Sequence, residues 1–476
     1  MLQDELSALI RRVQAQRCEE QTLELKAAHG GCPRLYETLS SFSNQNDGGI
    51  ILLGIDEADG YKLCGVYDPQ DIQHKISEQC KQMSPEVRPV LTSCCCDGKS
   101  LLAVEIPPAE MVQRPVFYKG AGRLKGSYIR VGDADEPMSE YEIYSYEAYR
   151  KQLRDDIRPV AGVDKSVLDK AQLAHYLNEL RLNRPNTQNL SDAELSELMG
   201  ITKNGVPTLT GILCFSKFPQ AAFPQLCITA VLVPGFAVGD TGSDGERFLA
   251  NKKIEGTITQ MLEAAVSFVA MNMKVKLSVI DGKRVDTAEY PLTAVREAVL
   301  NALVHRDYSP YTEGMPIRLE MYNDRLEIVN AGGLYGAVSI DELGRIHADT
   351  RNKTLISVLE TLHAVENKYS GIPTIRRQCE AQGLPQPLFS SARGLFKVTL
   401  FNSSSQPQTQ TDEKEAQILD FCKTPRSRKE LAEWLNMSQY YMVKKYIGPL
   451  LAAGKLKYTM PDKPKSKSQR IVSTAI

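Results

Sequence analysis

The stretch of sequence that decides the fold is Glu297-Ala-Val-Leu-Asn301-Ala-Leu-Val-His305-Arg-Asp-Tyr308. Its polar residues recur every four positions, so on a helix Glu297, Asn301 and His305 lie on one face. The apolar residues fall on another face: Val295, Val299, Ala302 and Leu303. A carboxylate one turn before a carboxamide can hold a water molecule with one group and a metal ion with the other. The pattern therefore predicts a helix that packs on one side and carries out chemistry on the other.

Two glycine-containing turns follow this helix in the chain. They are Asn330-Ala-Gly-Gly333 and Ser370-Gly371-Ile372-Pro373. Between the helix and the first turn, residues 317–329 form two alternating segments around Asn323-Asp324, which predicts a β-hairpin. Backbone N–H groups in glycine-rich turns can approach phosphates closely. The chain thus carries a helix, a hairpin and two glycine-containing turns in this order.

This order of motifs resembles the nucleotide pocket of the GHKL ATPases. More narrowly, it resembles the divergent GHKL domain of bacterial regulators that are labelled RecG-like. The resemblance implies an α/β sandwich that binds ATP and Mg²⁺, in which Asn301 coordinates the metal and Glu297 orients water if ATP is hydrolysed. It implies nucleotide contacts by further residues: His305, Asp307, Asn330, Gly332, Gly333, Ser370, Gly371 and Ile372.

The chain departs from the GHKL pattern at both turns. Asn330 stands where the family has an aspartate that receives the adenine amino group, and an uncharged carboxamide accepts that hydrogen bond more weakly. The second turn offers Ser370-Gly371-Ile372 instead of Gly-x-Gly. These departures favour nucleotide binding over hydrolysis.

The N-terminal part of the chain has an α/β pattern. A strand is predicted at 23–26, a helix at 34–44, a buried strand at 49–56, a strand pair at 89–96 and 101–106, and a strand at 126–131. The segments Glu19-Glu-Gln-Thr-Leu-Glu24-Leu-Lys26, Gly48-Gly-Ile-Ile-Leu-Leu-Gly-Ile-Asp56 and Tyr128-Ile-Arg130-Val-Gly132 resemble the Schlafen-type AlbA-like domain.

That resemblance leaves two functions open for the N-terminal domain. Schlafen-type RNases use a carboxylate cluster that holds a divalent metal ion, and the corresponding residues are Glu19, Glu24 and Asp56. Bacterial relatives of this architecture are regarded instead as nucleic-acid-binding modules, with RNA or DNA as the partner.

The middle and C-terminal parts carry fewer motifs. Residues 209–215 and 225–233 are predicted strands, and an apolar stripe from Ile254 to Val269 predicts a helix. After a polar linker at 403–412, helices are predicted at 413–422, 427–435 and 438–453, which resembles a winged helix-turn-helix. Ser427-Arg-Lys-Glu430 predicts a capping box at the start of the second of these helices. The residues expected to contact DNA are Tyr440, Tyr441, Lys444, Lys445, Lys455, Lys457, Lys465 and Arg470.

Composition limits the function classes. A net charge of −1 gives no overall attraction to nucleic acid, so a local patch must supply it, and from Tyr441 onward Asp462 is the one acid among many lysines. The start of the chain lacks a basic and apolar leader, and no apolar run approaches the roughly 20 residues that span a bilayer. We expect a cytoplasmic protein with no membrane partner.

The cysteines do not predict a zinc site. The 11 cysteines include no Cys-x-x-Cys pair, and the consecutive Cys94, Cys95 and Cys96 would alternate between two strand faces.

Together these features predict a multidomain α/β and α+β protein. The expected parts are an AlbA-like domain at 1–155, a connecting region at 156–285, a GHKL-like ATP-binding domain at 286–402, a linker at 403–412 and a winged helix at 413–476. The predicted function is that of a bacterial transcription regulator in which nucleotide occupancy modulates nucleic-acid binding. An ATP-gated, metal-dependent RNase of Schlafen type, active in phage defence, and a non-catalytic scaffold stay open, as does a homodimer.

Overall fold

The computed structural model describes residues 3–16, 19–242, 244–280, 283–336, 338–346, 349–362, 371–402, 418–435, 442–460 and 469–474. The protein is a mixed α/β structure with several sheets. It divides into two compact units. The first unit comprises Met1–Arg154 and Tyr335–Val338, and the second comprises Asp155–Leu334 and Ser339–Ile476.

The first unit contains five helices and ten strands among its described residues. The helices are α1 (Gln3–Gln16), α2 (Tyr36–Asn44), α3 (Pro69–Lys81), α4 (Gly122–Gly126) and α5 (Glu140–Lys151). The strands are β1 (Leu23–Lys26), β2 (Gly49–Leu53), β3 (Ile55–Asp56), β4 (Lys62–Leu63), β5 (Met83–Ser84), β6 (Val90–Cys96), β7 (Lys99–Ile106), β8 (Phe117–Tyr118), β9 (Tyr128–Val131) and β10 (Ala134–Pro137).

A four-stranded sheet in the order β1-β2-β7-β6 carries the core of the first unit. β1 and β2 are parallel, and the other neighbours are antiparallel. β2 is an apolar run because both of its faces are covered. Ile51 and Leu53 belong to a core that includes residues of α2 and α3, whereas Leu52 belongs to a core that includes residues of α1.

The predicted pairing of β6 with β7 is confirmed. The turn between them is Asp97-Gly98, with φ of 51° and 72°, as a two-residue hairpin turn of type I′ requires. Cys94 and Cys96 pack against the core on the α1 side while Cys95 is exposed, so the predicted alternation of the three cysteines is also confirmed. The predicted single strand at 49–56 is wrong in one respect: Gly54, with φ of 101°, separates β2 from β3.

The second unit is built around a larger sheet. Its helices before the C-terminal segment are α6 (Lys170–Asn183), α7 (Asp192–Leu198), α8 (Leu209–Phe215), α9 (Ile258–Asn272), α10 (Leu292–His305), α11 (Lys353–Thr361) and α12 (Gly371–Ala381). Its strands there are β11 (Thr202–Lys203), β12 (Val206–Pro207), β13 (Ile228–Leu232), β14 (Ala250–Ile254), β15 (Val275–Ile280), β16 (Lys283–Ala288), β17 (Ile317–Met321), β18 (Arg325–Ala331), β19 (Leu388–Ala392) and β20 (Leu395–Phe401). Short 3₁₀ helices lie at Met111–Gln113, Asp155–Ile157, Lys165–Val167, Pro185–Thr187, Pro219–Ala221 and Ile340–Glu342.

Six strands of the second unit form one sheet in the order β14-β13-β17-β18-β20-β19. The antiparallel pair of β17 and β18 is the hairpin that the sequence predicts. β13 pairs in parallel with β17, so two strands from the predicted connecting region at 156–285 belong to the same sheet as the strands that follow residue 286. Local sequence patterns do not reveal such a pairing, because it joins segments far apart in the chain.

The predicted strand at 209–215 is wrong. Leu209–Phe215 is the helix α8, and Thr208 caps its start by accepting a hydrogen bond from Gly211 N at 3.1 Å. Every residue of α8 is buried. A short apolar run that is buried on all sides shows neither the strand nor the helix period, so its pattern is ambiguous.

The C-terminal segment has a small core of its own. Its described elements are the helix Arg428–Leu435, a π-helix Val443–Ile447, the helix Gly448–Ala452 and the antiparallel strands β21 (Leu456–Tyr458) and β22 (Ile471–Ser473). The predicted capping box is confirmed, since Ser427 N donates to Glu430 Oε2 at 2.7 Å and Glu430 N donates to Ser427 Oγ at 3.1 Å. The predicted linker at 403–412 lies outside the described residues.

Candidate nucleotide site

The helix α10 sorts its side chains as the sequence predicts. Its apolar residues, among them Val295, Val299 and Leu303, are buried. Glu297 and Asn301 are partly exposed and His305 is exposed. α10 packs against α9, α12 and β18. The two glycine-containing turns lie at the start of α12 and the end of β18.

The start of α12 meets the polar face of α10. A methyl group added to Gly371 would lie 3.1 Å from Asn301 Nδ2 and 3.1 Å from Glu297 Oε2. The backbone of α12 approaches the carboxamide and carboxylate this closely because Gly371 has no side chain. The first N–H groups of a helix have no partner within the helix and carry partial positive charge, which suits an anionic ligand.

The turn after β18 also requires a glycine, at Gly332. Gly332 has φ of 95°, and a methyl group on it would lie 2.8 Å from Asp307 N. Asp307 N donates to Ala331 O at 2.8 Å, which ties this turn to the segment that follows α10. Asn330 is buried, and its Nδ2 donates to Ala331 O at 3.1 Å.

An ion pair holds the same turn in place. Arg351 Nη1 lies 3.1 Å from Asp307 Oδ2, and Arg351 Nη2 donates to Gly333 O at 2.7 Å. Asp307 Oδ1 also accepts from Ser309 N at 2.8 Å. Asp307 is thus a buried carboxylate that orders the turn, and Arg351 is a part of the site that sequence reasoning did not find.

Asn352 and His305 complete the end of α10. Asn352 Nδ2 donates to Val304 O at 2.9 Å and to Arg306 O at 2.8 Å, so it satisfies carbonyls that the helix end leaves open. His305 Nδ1 lies 3.4 Å from Thr350 Oγ1. Desolvation by the surrounding protein, together with the charge of Arg351, lowers the pKa of His305 to about 4, although the side chain is accessible to solvent. His305 is therefore neutral near pH 7.

The other predicted contacts of the nucleotide are Ser370 and Ile372. Ser370 lies outside the described residues. Ile372, in the first turn of α12, approaches Gly344, at which a methyl group would lie 3.2 Å from Ile372 Cβ.

In the first unit, Glu19 and Glu24 converge on Arg130. Arg130 Nη1 lies 2.7 Å from Glu24 Oε2, and Arg130 Nη2 lies 3.8 Å from Glu19 Oε2. Asp135 completes the arrangement, with Oδ1 3.0 Å from Arg130 Nη1. The guanidinium is 1% exposed, so its charge is directed at these carboxylates and not at solvent.

Asp56 takes a different role from the two glutamates. Its Oδ1 accepts from Ala58 N at 3.0 Å within a turn.

The carboxyl group of Glu19 has a raised pKa. Burial is the largest cause, and the charges of Glu24 and Glu57 raise the pKa further. The hydrogen bond from Leu25 N acts in the opposite direction and lowers the pKa. Among the residues that the structure describes, no three His, Cys, Asp or Glu side chains form a group that could hold a metal ion.

The predicted DNA-contacting residues are described in part. Lys455 and Lys457 are exposed and Arg470 is half-buried, beside or within the pair β21 and β22. Lys444 and Lys445 lie in the π-helix, and nothing is described of their side chains. Tyr440, Tyr441 and Lys465 lie outside the described residues.

No described helix has the length and the apolarity needed to cross a membrane.

Comparison with known proteins identifies two domains. Residues 19–139 match the family model described as "Schlafen, AlbA_2", and residues 314–400 match the one described as "Putative ATP-dependent DNA helicase recG C-terminal". The chain therefore carries a Schlafen AlbA_2 domain and a RecG-like, ATPase-like domain. No curated protein matches the chain significantly.

One solved structure is similar to most of the chain, and another is similar to a smaller part of it. The DIP2311 protein from Corynebacterium diphtheriae is 19% identical, with 95% of this chain and 93% of that chain covered at a TM-score of 0.40. The N-terminal domain of a "Putative ATP-dependent DNA Helicase RecG-related Protein" from Nitrosomonas europaea is 30% identical, with 28% of this chain and 92% of that chain covered at a TM-score of 0.23.

Proposed function

We propose that the second unit binds ATP with Mg²⁺ where α10, the start of α12 and the turn after β18 come together. The observation that carries this proposal is the close approach of the Gly371 backbone to both Asn301 and Glu297. It brings a carboxamide oxygen, which is a ligand that Mg²⁺ accepts, next to the positive end of a helix that suits phosphate. The match to a RecG-like, ATPase-like family supports the same assignment.

Several residues would contribute to this site. Asn301 would hold the metal ion, and the N–H groups of Gly371 and Ile372 would face the phosphates. The nucleotide supplies the phosphoryl group when it is bound. Glu297 would orient a water molecule if hydrolysis occurs, and Arg351 keeps the turn at Gly332 and Gly333 in place through Asp307.

We infer that the Schlafen AlbA_2 domain binds nucleic acid without cutting it. The carboxylates that would hold a catalytic metal ion are Glu19 and Glu24, and the buried guanidinium of Arg130 already pairs with them. Asp56 caps a turn instead of joining them. A guanidinium at this place disfavours a divalent cation by like-charge repulsion.

We propose that the C-terminal segment is a winged helix that binds DNA. The small separate core, the pair β21 and β22 and the lysines beside it support this proposal. The whole chain would then be a cytoplasmic bacterial regulator in which nucleotide occupancy changes nucleic-acid affinity. By thermodynamic linkage, such coupling requires that ATP and nucleic acid change each other's affinity by the same factor.

The nucleotide assignment is tested by calorimetric titration of ATP with and without Mg²⁺. Asn301→Ala should weaken Mg²⁺-dependent binding about tenfold or more, because the proposed metal ligand is lost. The matched control is Thr293→Ala, an exposed position on the same helix, which should bind as the wild type does. Absence of ATP binding in the wild type, or unchanged Mg²⁺-dependent affinity in Asn301→Ala, would refute the assignment.

A further inference from the structure

A stacked pair of tyrosines lies at the surface of the first unit. The ring centroids of Tyr36 and Tyr118 are 3.9 Å apart with an angle of 18° between the rings. Both rings are half-buried, because they pack against the core that contains residues of α2 and α3. Arg34 is exposed, and its Cζ lies 5.4 Å from the centroid of Tyr36. The result is a fixed aromatic stack with a cation beside it.

A second aromatic ring with a cation lies on the same side of α3. Tyr67 is 42% exposed, and Lys75 Nζ lies 5.6 Å from its ring centroid and 3.1 Å from its hydroxyl oxygen. An exposed aromatic ring lacks the stabilisation that burial would give it. The ammonium group of Lys75, held over the ring of Tyr67, keeps that ring in one orientation.

Contacts along α3 place these two features on one surface. Gln79 Nε2 donates to Pro33 O at 2.9 Å, and Gln79 Oε1 accepts from Leu35 N at 2.8 Å. Gln82, at the end of α3, accepts from Tyr36 OH at 2.7 Å. The segment that carries Arg34 therefore runs beside α3, and the seven steps along the chain from Lys75 to Gln82 span about 10 Å. We call Arg34, Tyr36, Tyr67, Lys75, Tyr118 and Lys119 the tyrosine strip.

Two of the three cations of the tyrosine strip, Arg34 and Lys119, are left for a ligand, whereas Lys75 Nζ lies 2.7 Å from Asp71 Oδ2. Within the described part of the chain, Arg34 and Lys119 have no carboxylate within ion-pair distance, and Lys119 Nζ donates to Lys81 O at 2.8 Å. Two nearby acids have partners outside the strip: Glu78 pairs with His74, and Glu37 accepts from Tyr128 OH. The strip thus combines one exposed aromatic ring and a half-buried aromatic stack with positive charge.

We propose that the tyrosine strip binds single-stranded nucleic acid. This inference rests on the proposed nucleic-acid binding of the Schlafen AlbA_2 domain, and it assigns the place and the strandedness of the ligand. Bases of a single strand stack on aromatic side chains while nearby cations bind the phosphates. The bases of a duplex are stacked on one another, so their faces are not available to these rings.

The test is a titration of the full chain by fluorescence anisotropy. The probes are labelled single strands of thymidine and of uridine, which distinguish DNA from RNA, and a duplex of equal length. Tyr67→Ala and Arg34→Ala change exposed side chains, and each should weaken single-strand binding about five- to tenfold, whereas Tyr67→Phe should retain it. The matched control is Arg11→Ala, an exposed arginine on α1, which packs on the opposite face of the sheet. Duplex binding by the C-terminal segment should be unchanged in all four variants.

The outcomes separate this inference from the proposed function. If the wild type binds single strands but Tyr67→Ala and Arg34→Ala bind them equally well, the tyrosine strip is refuted and nucleic-acid binding stands. If the wild type prefers the duplex and the variants weaken both probes equally, the single-strand preference is refuted. If the wild type binds none of the probes, both the inference and the proposed nucleic-acid binding are refuted.

Discussion

Arg130 sets the chemistry that is open to the acidic residues of the first unit. The motif Glu19 to Glu24 is visible in the sequence because its members are close together, but the partners Arg130 and Asp135 come from β9 and β10, much later in the chain. Their contact with Glu19 and Glu24 depends on how the four-stranded sheet and the hairpin of β9 and β10 fold. Sequence reasoning therefore identified the acids and assigned no role to the cation that pairs with them.

We predict that Arg130→Met destabilises the first unit by about 3 to 5 kcal/mol, because Asp135 loses its cation and Glu24 keeps only its ion pair with Lys26. The control is Arg12→Met, whose side chain is 52% exposed and 3.4 Å from Glu20, and whose effect should stay below about 1 kcal/mol. Hydrogen exchange of β1 and β2 in urea reports the stability of this unit. Equal protection in Arg130→Met and in the wild type would show that the ion pairs contribute nothing.

Single elements differ in how far their sequence predicts them. The hairpin of β17 and β18 and the capping box at Ser427 were predicted because their signals are local. The helix α8 was not, since its apolar run fits either structure. At the candidate site the polar face of α10 was predicted from its four-residue spacing. Arg351 and Asn352 were not, because they lie in a polar segment without periodicity and reach α10 and the turn after β18 through the tertiary fold.

We predict that truncation after Ser404 removes duplex DNA binding and leaves ATP binding intact. The core of the C-terminal segment consists of residues from Ile418 to Ile471, so its loss takes no side chain from the six-stranded sheet. Electrophoretic mobility shift and calorimetry on the truncated protein measure the two activities. Full duplex affinity after truncation would refute the winged-helix proposal, and loss of ATP binding would show that the two cores depend on each other.

At the scale of the whole molecule, a net charge of −1 hides an uneven distribution. The lysines of the C-terminal segment and the cations of the tyrosine strip lie on separate parts of the chain, and the proposed nucleotide site lies at α10, α12 and β18. Binding at one site can regulate the others only if the protein has arrangements that differ in affinity for ATP.

The measurement that tests this coupling most directly is the Kd for duplex DNA with and without saturating ATP and Mg²⁺. We predict a change of about fivefold or more in the wild type, the lower end of typical coupling, and no change in Asn301→Ala. Thr293→Ala should respond as the wild type does. If the wild type binds ATP by calorimetry and its Kd for DNA is the same with and without the nucleotide, the protein is not an ATP-responsive regulator.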